Sequence, residues 1–168
     1  MTLCLAERIL SIIVLLILCA ILIKITATKT IEKYRKSATD PMLFEIKKRM
    51  EPLFQGEPLT GNLAGLNRNK LNSIQIKEDN QESYTINKKD IYMCLYDEKG
   101  RYYHINNLLY VFGHELAHTL CPEEGHGKHW ETIFTELLTE MTKRGIYDPN
   151  IPMIENYCGL NNLKDENS

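Results

Sequence analysis

Hydrophobic positions divide the chain into a long apolar run near the amino terminus, short alternating segments in the middle and two amphipathic stretches towards the end. Fifteen residues without a charge, Ile9 to Ile23, stand between Arg8 and Lys24. At a rise of about 1.5 Å per residue this run covers about 22 Å, and neighbouring apolar residues can lengthen it towards the roughly 30 Å of a membrane interior. We therefore expect one transmembrane helix within residues 1–27.

A cleaved signal peptide is the first alternative to that helix, because the apolar core of a signal peptide is usually about 7–15 residues long. Two features weaken this alternative. Glu7 beside Arg8 leaves the leading segment barely positive, and Ile25 lies where the best cleavage site requires a small residue. A buried core helix is the second alternative, and we favour the membrane anchor over both.

Charge and cysteine content predict the side of the membrane on which the rest of the chain lies. Five basic residues lie between Lys24 and Lys36 against one acidic residue, whereas Arg8 alone precedes the run. By the positive-inside rule, the C-terminal domain of this single-pass protein is expected in the cytoplasm. The cysteines after the run are Cys94, Cys121 and Cys158. Three free thiols agree with a reducing compartment.

Residues 28–55 are expected to form a basic helical neck, and residues 56–168 a separate domain. From Lys29 to Arg49 there are seven basic and three acidic residues, a net charge of +4, whereas from Met50 onwards eleven basic and eighteen acidic residues give −7. The neck can attract anionic headgroups or present ordinary solvated helix faces. The acidic domain has no basic stripe, so we do not expect nucleic acid as a partner.

A proline interrupts the helical pattern of the neck. The residue before a proline is pushed out of the α region, so Asp40-Pro41 predicts a break and a second short helix at about Met42 to Met50. The stretch Gln55 to Asn69 concentrates Gly, Pro and Asn and is expected to be a loop.

Segments with the composition of β-strands fill the middle of the chain. Leu71 to Ile76, Tyr84 to Ile86 and Ile91 to Tyr96 alternate in polarity or are rich in β-branched and aromatic residues. The last segment, a DEKG turn and Arg101 to Tyr103 together predict a hairpin. We expect a small, mainly antiparallel sheet packed on the following helix. Its edge could bind an extended peptide by strand addition, or the sheet could only complete the core.

The clearest chemistry lies in His114, Glu115 and His118, which form the pattern HExxH within a stretch of helical spacing. Residues four apart on a helix project from nearly the same side, so the two imidazoles can share one metal ion. Glu115 points about 100° away around the helix axis and can act as a general base on water. A catalytic zinc takes three protein ligands. The pattern therefore predicts Zn²⁺, with a third ligand from elsewhere.

His126 is the leading candidate for that third ligand, because Gly125 and Gly127 flank it and permit a tight turn back towards the first helix. His129 is the main alternative, since it lies three residues further on. The weaker candidates are one thiol and three carboxylates: Cys121, Glu123, Glu124 and Glu131. His104 lies too far upstream and is expected to be a cap or a surface residue.

A second amphipathic helix is predicted at about Gly127 to Arg144, ended by Gly145. Its apolar positions at spacings of three and four form one face that should pack on the sheet or on the HExxH helix. These positions are Trp130, Ile133, Phe134, Leu137, Leu138 and Met141. Packing of Trp130 could fix the direction from which His126 approaches the metal.

The sequence HELAH, followed after a short loop by HGKHW, resembles the HELAH…HGxxF/W pattern of the WLM and SprT-like minimal zinc metallopeptidases. The likeness extends to small members of large DNA viruses, where a tyrosine-rich strand pair precedes the motif and a YCG segment, here Tyr157-Cys158-Gly159, follows the second helix. The resemblance implies a minimal zincin-like α+β domain, with zinc ligands His114, His118 and His126 and with Glu115 as the base.

The expected activity is hydrolysis of peptide bonds in a protein or peptide substrate by water activated at the metal, with Glu115 carrying the proton. Four tyrosines are available to assist the oxyanion: Tyr102, Tyr103, Tyr147 and Tyr157. The alternative is a membrane-anchored binding or scaffold protein with a structural zinc site, in which Glu115 has no chemical task.

Overall fold

The computed structural model describes residues 15–24, 40–55, 57–158 and 160–161. The chain divides into two compact units, Met1–Thr39 and Asp40–Ser168. In the first unit the described residues 15–24 are helical, and their side chains are exposed.

The expected transmembrane helix is corrected by the structure. Among the residues that the structure describes, no helix is both long enough and apolar enough to cross a membrane. The prediction of an N-terminal transmembrane helix in residues 1–27 is therefore wrong on this finding. The other residues of that segment, and residues 28–39 of the predicted neck, lie outside the described residues.

The second unit begins with helix α1, Pro41–Met50. The Asp40 side chain caps it by accepting a hydrogen bond of 2.7 Å from the backbone N–H of Met42, and Pro41 occupies the first turn, where its missing N–H costs nothing. The helix buries Leu43, Ile46 and Met50 and continues into a 3₁₀ turn, Glu51–Phe54. The short helix predicted after Asp40-Pro41 is confirmed.

A second short helix, α2 at Arg68–Ser73, follows a 3₁₀ turn at Gly61–Leu63. The strand expected at Leu71 to Ile76 is therefore displaced, and strand β1 runs over Gln75–Asp79. The reason is local, because the Asn67 side chain accepts a 3.0 Å hydrogen bond from the Lys70 N–H and starts a helical turn in this segment.

The sheet contains β1, β2 at Tyr84–Ile86 and β3 at Asp90–Cys94, in the spatial order β1-β3-β2. β3 pairs with β2 antiparallel and with β1 parallel, so the expected mainly antiparallel sheet is in fact mixed. A short turn joins β2 to β3 and makes this pair antiparallel, and β2 runs opposite to β1, so β3, which lies between them, is parallel to β1. β2 is consequently an edge strand of this sheet.

Two long helices complete the core: α3 at Ile105–Leu120 and α4 at Lys128–Lys143. Both were predicted, and α4 matches the expected range to within one residue at each end. α3 is the most deeply buried element, since eleven of its sixteen residues are buried. The hairpin expected after β3 is reduced to a single bridge between Tyr96 and Tyr102. The chain then forms two short paired strands, β4 at Asn156–Tyr157 and β5 at Leu160–Asn161.

A disulfide bond joins Cys94, at the end of β3, to Cys158, with the two Cα atoms 6.3 Å apart. The expectation that Cys94, Cys121 and Cys158 are all free thiols is therefore wrong. Of these three, Cys121 is free and buried. The sequence holds no signal for the pairing, because the two cysteines are 64 positions apart and only the fold brings them together.

Candidate metal centre

Helix α3 places two histidines on one side, because His114 and His118 are separated by one helical turn. The helix begins where the His104 side chain accepts a 3.2 Å hydrogen bond from the Asn106 N–H, so the expected capping role of His104 is confirmed. Buried aliphatic and aromatic residues on the remaining faces fix the helix in the core. These residues are Leu108, Leu109, Val111, Phe112 and Leu116.

The imidazoles of His114, His118 and His126 converge on one point. The Nε2 atoms of His114 and His118 are 3.3 Å apart, those of His118 and His126 are 3.0 Å apart, and those of His126 and His114 are 2.9 Å apart. A neutral imidazole nitrogen is either a donor or an acceptor. Three such atoms cannot all satisfy one another, so at least one of the three contacts joins two atoms of the same kind. A cation at their centre removes this conflict.

The spacing of the three nitrogens fits zinc. Two nitrogens bound at about 2.0–2.1 Å to a tetrahedral zinc lie about 3.3–3.4 Å apart. The observed separations of 2.9–3.3 Å are within a few tenths of an ångström of that value. Three imidazoles are also the ligand set of some catalytic zinc sites, in which one position stays open to water.

The loop between α3 and α4 brings His126 to the two helical histidines. Gly125 has a φ of +76°, a left-handed conformation that glycine adopts without steric cost, and it turns the chain back towards α3. Gly127 then serves as the N-cap of α4. Gly125 therefore has the turning role expected of it, whereas Gly127 has an ordinary extended conformation, with a φ of −66°.

Trp130 packs against all three imidazoles from the first turn of α4. Its ring centroid lies 4.6 Å from that of His114, 5.1 Å from that of His118 and 4.4 Å from that of His126. The indole is itself buried and stacks on Phe134, with 5.0 Å between the centroids. Because its position in the core is fixed, Trp130 restricts the orientation of each histidine.

Glu115 is buried, with 4 % of its surface exposed, and it lines the same cleft as the histidines. The Thr85 hydroxyl from β2 lies 2.8 Å from Glu115 Oε2, to which it donates, and 3.0 Å from the Glu115 backbone carbonyl. This contact orients the carboxylate and links the edge strand to the HExxH helix. The side chain is therefore held, not solvated, as a positioned base requires.

Burial keeps the two helical histidines neutral. Desolvation, followed by the nearby His118 and His126, lowers the pKa of His114 to about 3. Desolvation, with smaller contributions from His126 and Lys88, lowers the pKa of His118 to about 4. Neutral imidazole is the form that binds a metal ion, so the site is prepared for a cation over the neutral pH range.

Two hollows meet at the histidine cluster. The first, which we call the β2 cleft, has a volume of about 640 Å³ and runs along residues 82–88 past Glu115 to Tyr157. The second, which we call the aromatic cavity, has a volume of about 780 Å³ and is walled by Tyr110, Trp130, Phe134 and Tyr147. His114 and His126 line both hollows.

The alternative ligands lie elsewhere. His129 faces Glu123, with His129 Nδ1 and Glu123 Oε1 3.4 Å apart, and it does not join the three-histidine cluster. Glu124 forms an ion pair of 3.2 Å with Lys88. Glu131 lines the aromatic cavity.

The four candidate tyrosines separate into two that line a hollow and two that do not. Tyr147 walls the aromatic cavity, and Tyr157 lines the β2 cleft. The Tyr157 hydroxyl is buried and donates to the Cys94 carbonyl, and burial raises its pKa. Tyr102 binds Asp40, and the Tyr103 hydroxyl accepts a hydrogen bond from the Cys158 N–H.

Thr85 is the site residue that sequence reasoning missed. It lies 30 residues before Glu115 and carries a common hydroxyl in a predicted strand. The only available signal was its position in Tyr84 to Ile86, one of the strand segments of a sheet expected to pack on the helix.

Together, the fold and the site define a small α+β protein organised around a three-histidine centre on an HExxH helix. The chain is 44 % identical over 124 residues to uncharacterized protein 042R of Invertebrate iridescent virus 3, a match that covers 71 % of this chain and 77 % of the relative. It is 40 % identical over 122 residues to uncharacterized protein 136R of Invertebrate iridescent virus 6, covering 67 % and 68 %.

The chain therefore belongs to the family of these iridescent virus proteins. A shorter match, 40 % identical over 83 residues, links it to uncharacterized protein R325 of Acanthamoeba polyphaga mimivirus and covers 46 % of this chain and 42 % of that protein. No family model matches the chain. No solved structure matches it.

Proposed function

We propose that this protein is a zinc-dependent metallopeptidase that hydrolyses peptide bonds. The observation that carries the proposal is the convergence of three Nε2 atoms at separations of 2.9–3.3 Å, beside a buried carboxylate that lines the same cleft. His114, His118 and His126 would hold the metal, and Glu115 would be the general base. These four residues are the ones that the resemblance to WLM and SprT-like peptidases implies.

Zinc held by the three imidazoles would supply Lewis-acid polarisation of a peptide carbonyl and lower the pKa of water. Glu115 takes the proton of the attacking water and later passes it to the leaving amine. Thr85 keeps the carboxylate aimed into the β2 cleft through its 2.8 Å hydrogen bond. Trp130 packs against all three imidazoles and restricts their orientation.

An extended peptide fits the β2 cleft. β2 is an edge strand, and residues 84–88 line the cleft beside Glu115. Strand addition would hold the substrate backbone straight and carry the scissile bond past the histidine cluster. A side chain next to that bond would enter the aromatic cavity, because His114 and His126 form a wall of both hollows.

The test uses the purified full-length chain, its zinc content and its cleavage of a fluorophore-labelled unfolded protein. We expect Glu115→Gln to retain zinc at His114, His118 and His126 and to lower the cleavage rate by at least about 100-fold, the usual contribution of a general base. The matched control is Glu98→Gln, which makes the same change in an exposed turn and should cleave like wild type.

Equal activity of wild type and Glu115→Gln would overturn the proposal. Zinc bound by an inactive wild type would instead favour the second candidate, a binding or scaffold protein in which the metal is structural. The burial of Glu115 and its bond to Thr85 are compatible with that role also, which is why the carboxamide variant is the deciding measurement.

A further inference from the structure

A second group of metal-ligating side chains lies at the carboxyl end of α3. Cys121, Glu123 and His129 each offer one ligand atom, and these atoms all lie within 4.8 Å of one another. None of them belongs to the three-histidine cluster. We propose that Cys121, Glu123 and His129 form a second zinc site, which ties together the segment that joins α3 to α4.

The donor set suits zinc, because thiolate, imidazole and carboxylate are its three usual protein ligands. Glu123 Oε1 and His129 Nδ1 are 3.4 Å apart. That distance is longer than the roughly 2.7–3.2 Å of a good hydrogen bond. It equals the separation of about 3.4 Å between a nitrogen and an oxygen bound to one tetrahedral zinc at about 2.0–2.2 Å.

The thiol is the fixed member of the group and the other two can move towards it. Cys121 is 1 % exposed, and its backbone N–H donates a 2.9 Å hydrogen bond to the Ala117 carbonyl at the end of α3. The side chains of His129 and Glu123 are 40 % and 61 % exposed. A sulfur and a nitrogen on one zinc lie about 3.6 Å apart. The ligand atoms of the group are at most 4.8 Å apart, so closure needs at most about 1 Å of movement by the side chains of His129 and Glu123.

The surrounding charges leave the Glu123 carboxylate available to a cation. The Lys88 Nζ donates at 2.9 Å to the Glu123 backbone carbonyl. The same ammonium forms its ion pair with Glu124, at 3.2 Å. Lys88 therefore braces the loop through Glu124 and through the backbone, and the Glu123 side chain faces His129.

A metal ion at the second site would also affect His126, which lies between Glu123 and His129 in the sequence. A metal at the second site would close a ring over nine residues, from Cys121 to His129, and would hold the loop in the conformation that presents His126 to α3. The second site is thus a structural clamp on the histidine cluster. The inference does not depend on peptidase activity, because a protein that binds two zinc ions and cleaves nothing would still support it.

The experiment titrates the metal-free full-length protein, with its disulfide intact, with Zn²⁺ and then with Co²⁺. Cobalt bound to a thiolate has an intense sulfur-to-metal charge-transfer absorption that a three-histidine site lacks. We expect two metal ions per chain and this absorption in the wild type. Cys121→Ser and His129→Gln should each remove one equivalent and the absorption, whereas His126→Gln should keep the absorption.

A control variant that combines Cys4→Ser with Cys19→Ser removes the other cysteines outside the disulfide and should behave like wild type. If Cys121→Ser does not fold, His129→Gln at its exposed position gives the same answer. A single equivalent and no charge-transfer absorption in the wild type would overturn the inference, as would an absorption that persists in both variants.

Discussion

At the scale of single residues, His126 completes the cluster of imidazoles that begins on α3, and Thr85 holds the Glu115 carboxylate in the same cleft. The pair His114 and His118 could be predicted from the sequence, because helical geometry alone places them on one side. His126 was the leading candidate for the third ligand because of the glycines on either side of it, and the alternatives, chiefly His129, needed the structure to separate them. Thr85 could not be predicted in this way, because nothing local marks its hydroxyl as the partner of a carboxylate 30 residues away. Contacts between distant residues depend on the tertiary fold, and the fold determines which of many hydroxyl groups reaches the site.

The Thr85 contact makes a prediction about stability. Thr85→Val keeps the shape of the side chain but leaves the buried Glu115 carboxylate without one of its donors, which costs about 1–3 kcal/mol of unfolding free energy. Thr85→Ser, the matched control, retains the hydroxyl and should lose much less. Urea unfolding of the metal-free protein measures both values, and a Thr85→Val variant as stable as wild type would contradict the contact.

At the scale of elements, the long helices were predictable and the sheet was not. The apolar spacing of three and four identified α4 almost residue for residue. A strand pattern, in contrast, identifies which face is buried but not the side of a neighbour on which the strand pairs. The sequence therefore could not predict that β3 lies between β1 and β2. For the same reason it could not predict the parallel pairing of β1 with β3 or the edge position of β2.

The packing of α3 on α4 depends on Gly113, the residue before the first histidine. A Cβ atom there would lie 3.1 Å from Met141 Sδ and 3.8 Å from Phe134 Cε2, closer to the sulfur than packed atoms normally lie. We expect Gly113→Leu to destabilise the protein by about 1–3 kcal/mol through overpacking. Gly113→Ala is the control, since the gain in helix propensity, about 0.5–1 kcal/mol, offsets a small shift of Met141.

A double-mutant cycle identifies the cause of that destabilisation. Met141→Ala removes the atoms against which the new leucine would collide. Gly113→Leu combined with Met141→Ala should therefore be more stable than the sum of the two single changes, with a coupling of about 0.5–3 kcal/mol in thermal or urea unfolding. Simple additivity would show that Gly113 acts through backbone conformation and not through the contact between the two helices.

At the scale of the whole molecule, the Cys94–Cys158 disulfide fastens the C-terminal segment to the sheet. It closes a loop with a sequence separation of 64, for which loop-closure entropy predicts about 4 kcal/mol of stabilisation. Reduction, or Cys94→Ala with Cys158→Ala, should lower the unfolding free energy by that order. The reductant should have no effect on the double variant. Equal stability of oxidised and reduced wild type would contradict a structural role of the bond.

At the scale of the whole molecule, two predictions made from composition are wrong. A charge-free run and a count of thiols are properties of the chain before it folds. The run predicted a membrane-spanning helix, which is not found among the described residues. The count of free thiols included Cys94 and Cys158, which the fold joins in a disulfide bond. Local periodicity predicted the helices that carry the histidines, whereas inferences from composition needed the three-dimensional structure to correct them.

The meeting of the β2 cleft and the aromatic cavity predicts the substrate preference of the proposed peptidase. A cavity of about 780 Å³ walled by Tyr110, Trp130, Phe134 and Tyr147 should accept a large apolar side chain next to the scissile bond. Leu138 also lines this cavity, so Leu138→Trp should fill part of it. We expect kcat/KM to fall by about 10–200-fold for peptides with leucine or phenylalanine at that position, and much less for peptides with alanine.

The matched control is Thr132→Trp, which adds an indole to an exposed position of the same helix, outside the residues that line the cavity. It should leave the preference unchanged. A uniform loss of activity for all peptides in Leu138→Trp would mean that the indole disturbs the histidine cluster, and an unchanged preference would mean that the substrate side chain lies elsewhere. A loss of kcat/KM that is selective for peptides with a large apolar residue would show that the cavity beside His114 and His126 binds the side chain next to the cleaved bond.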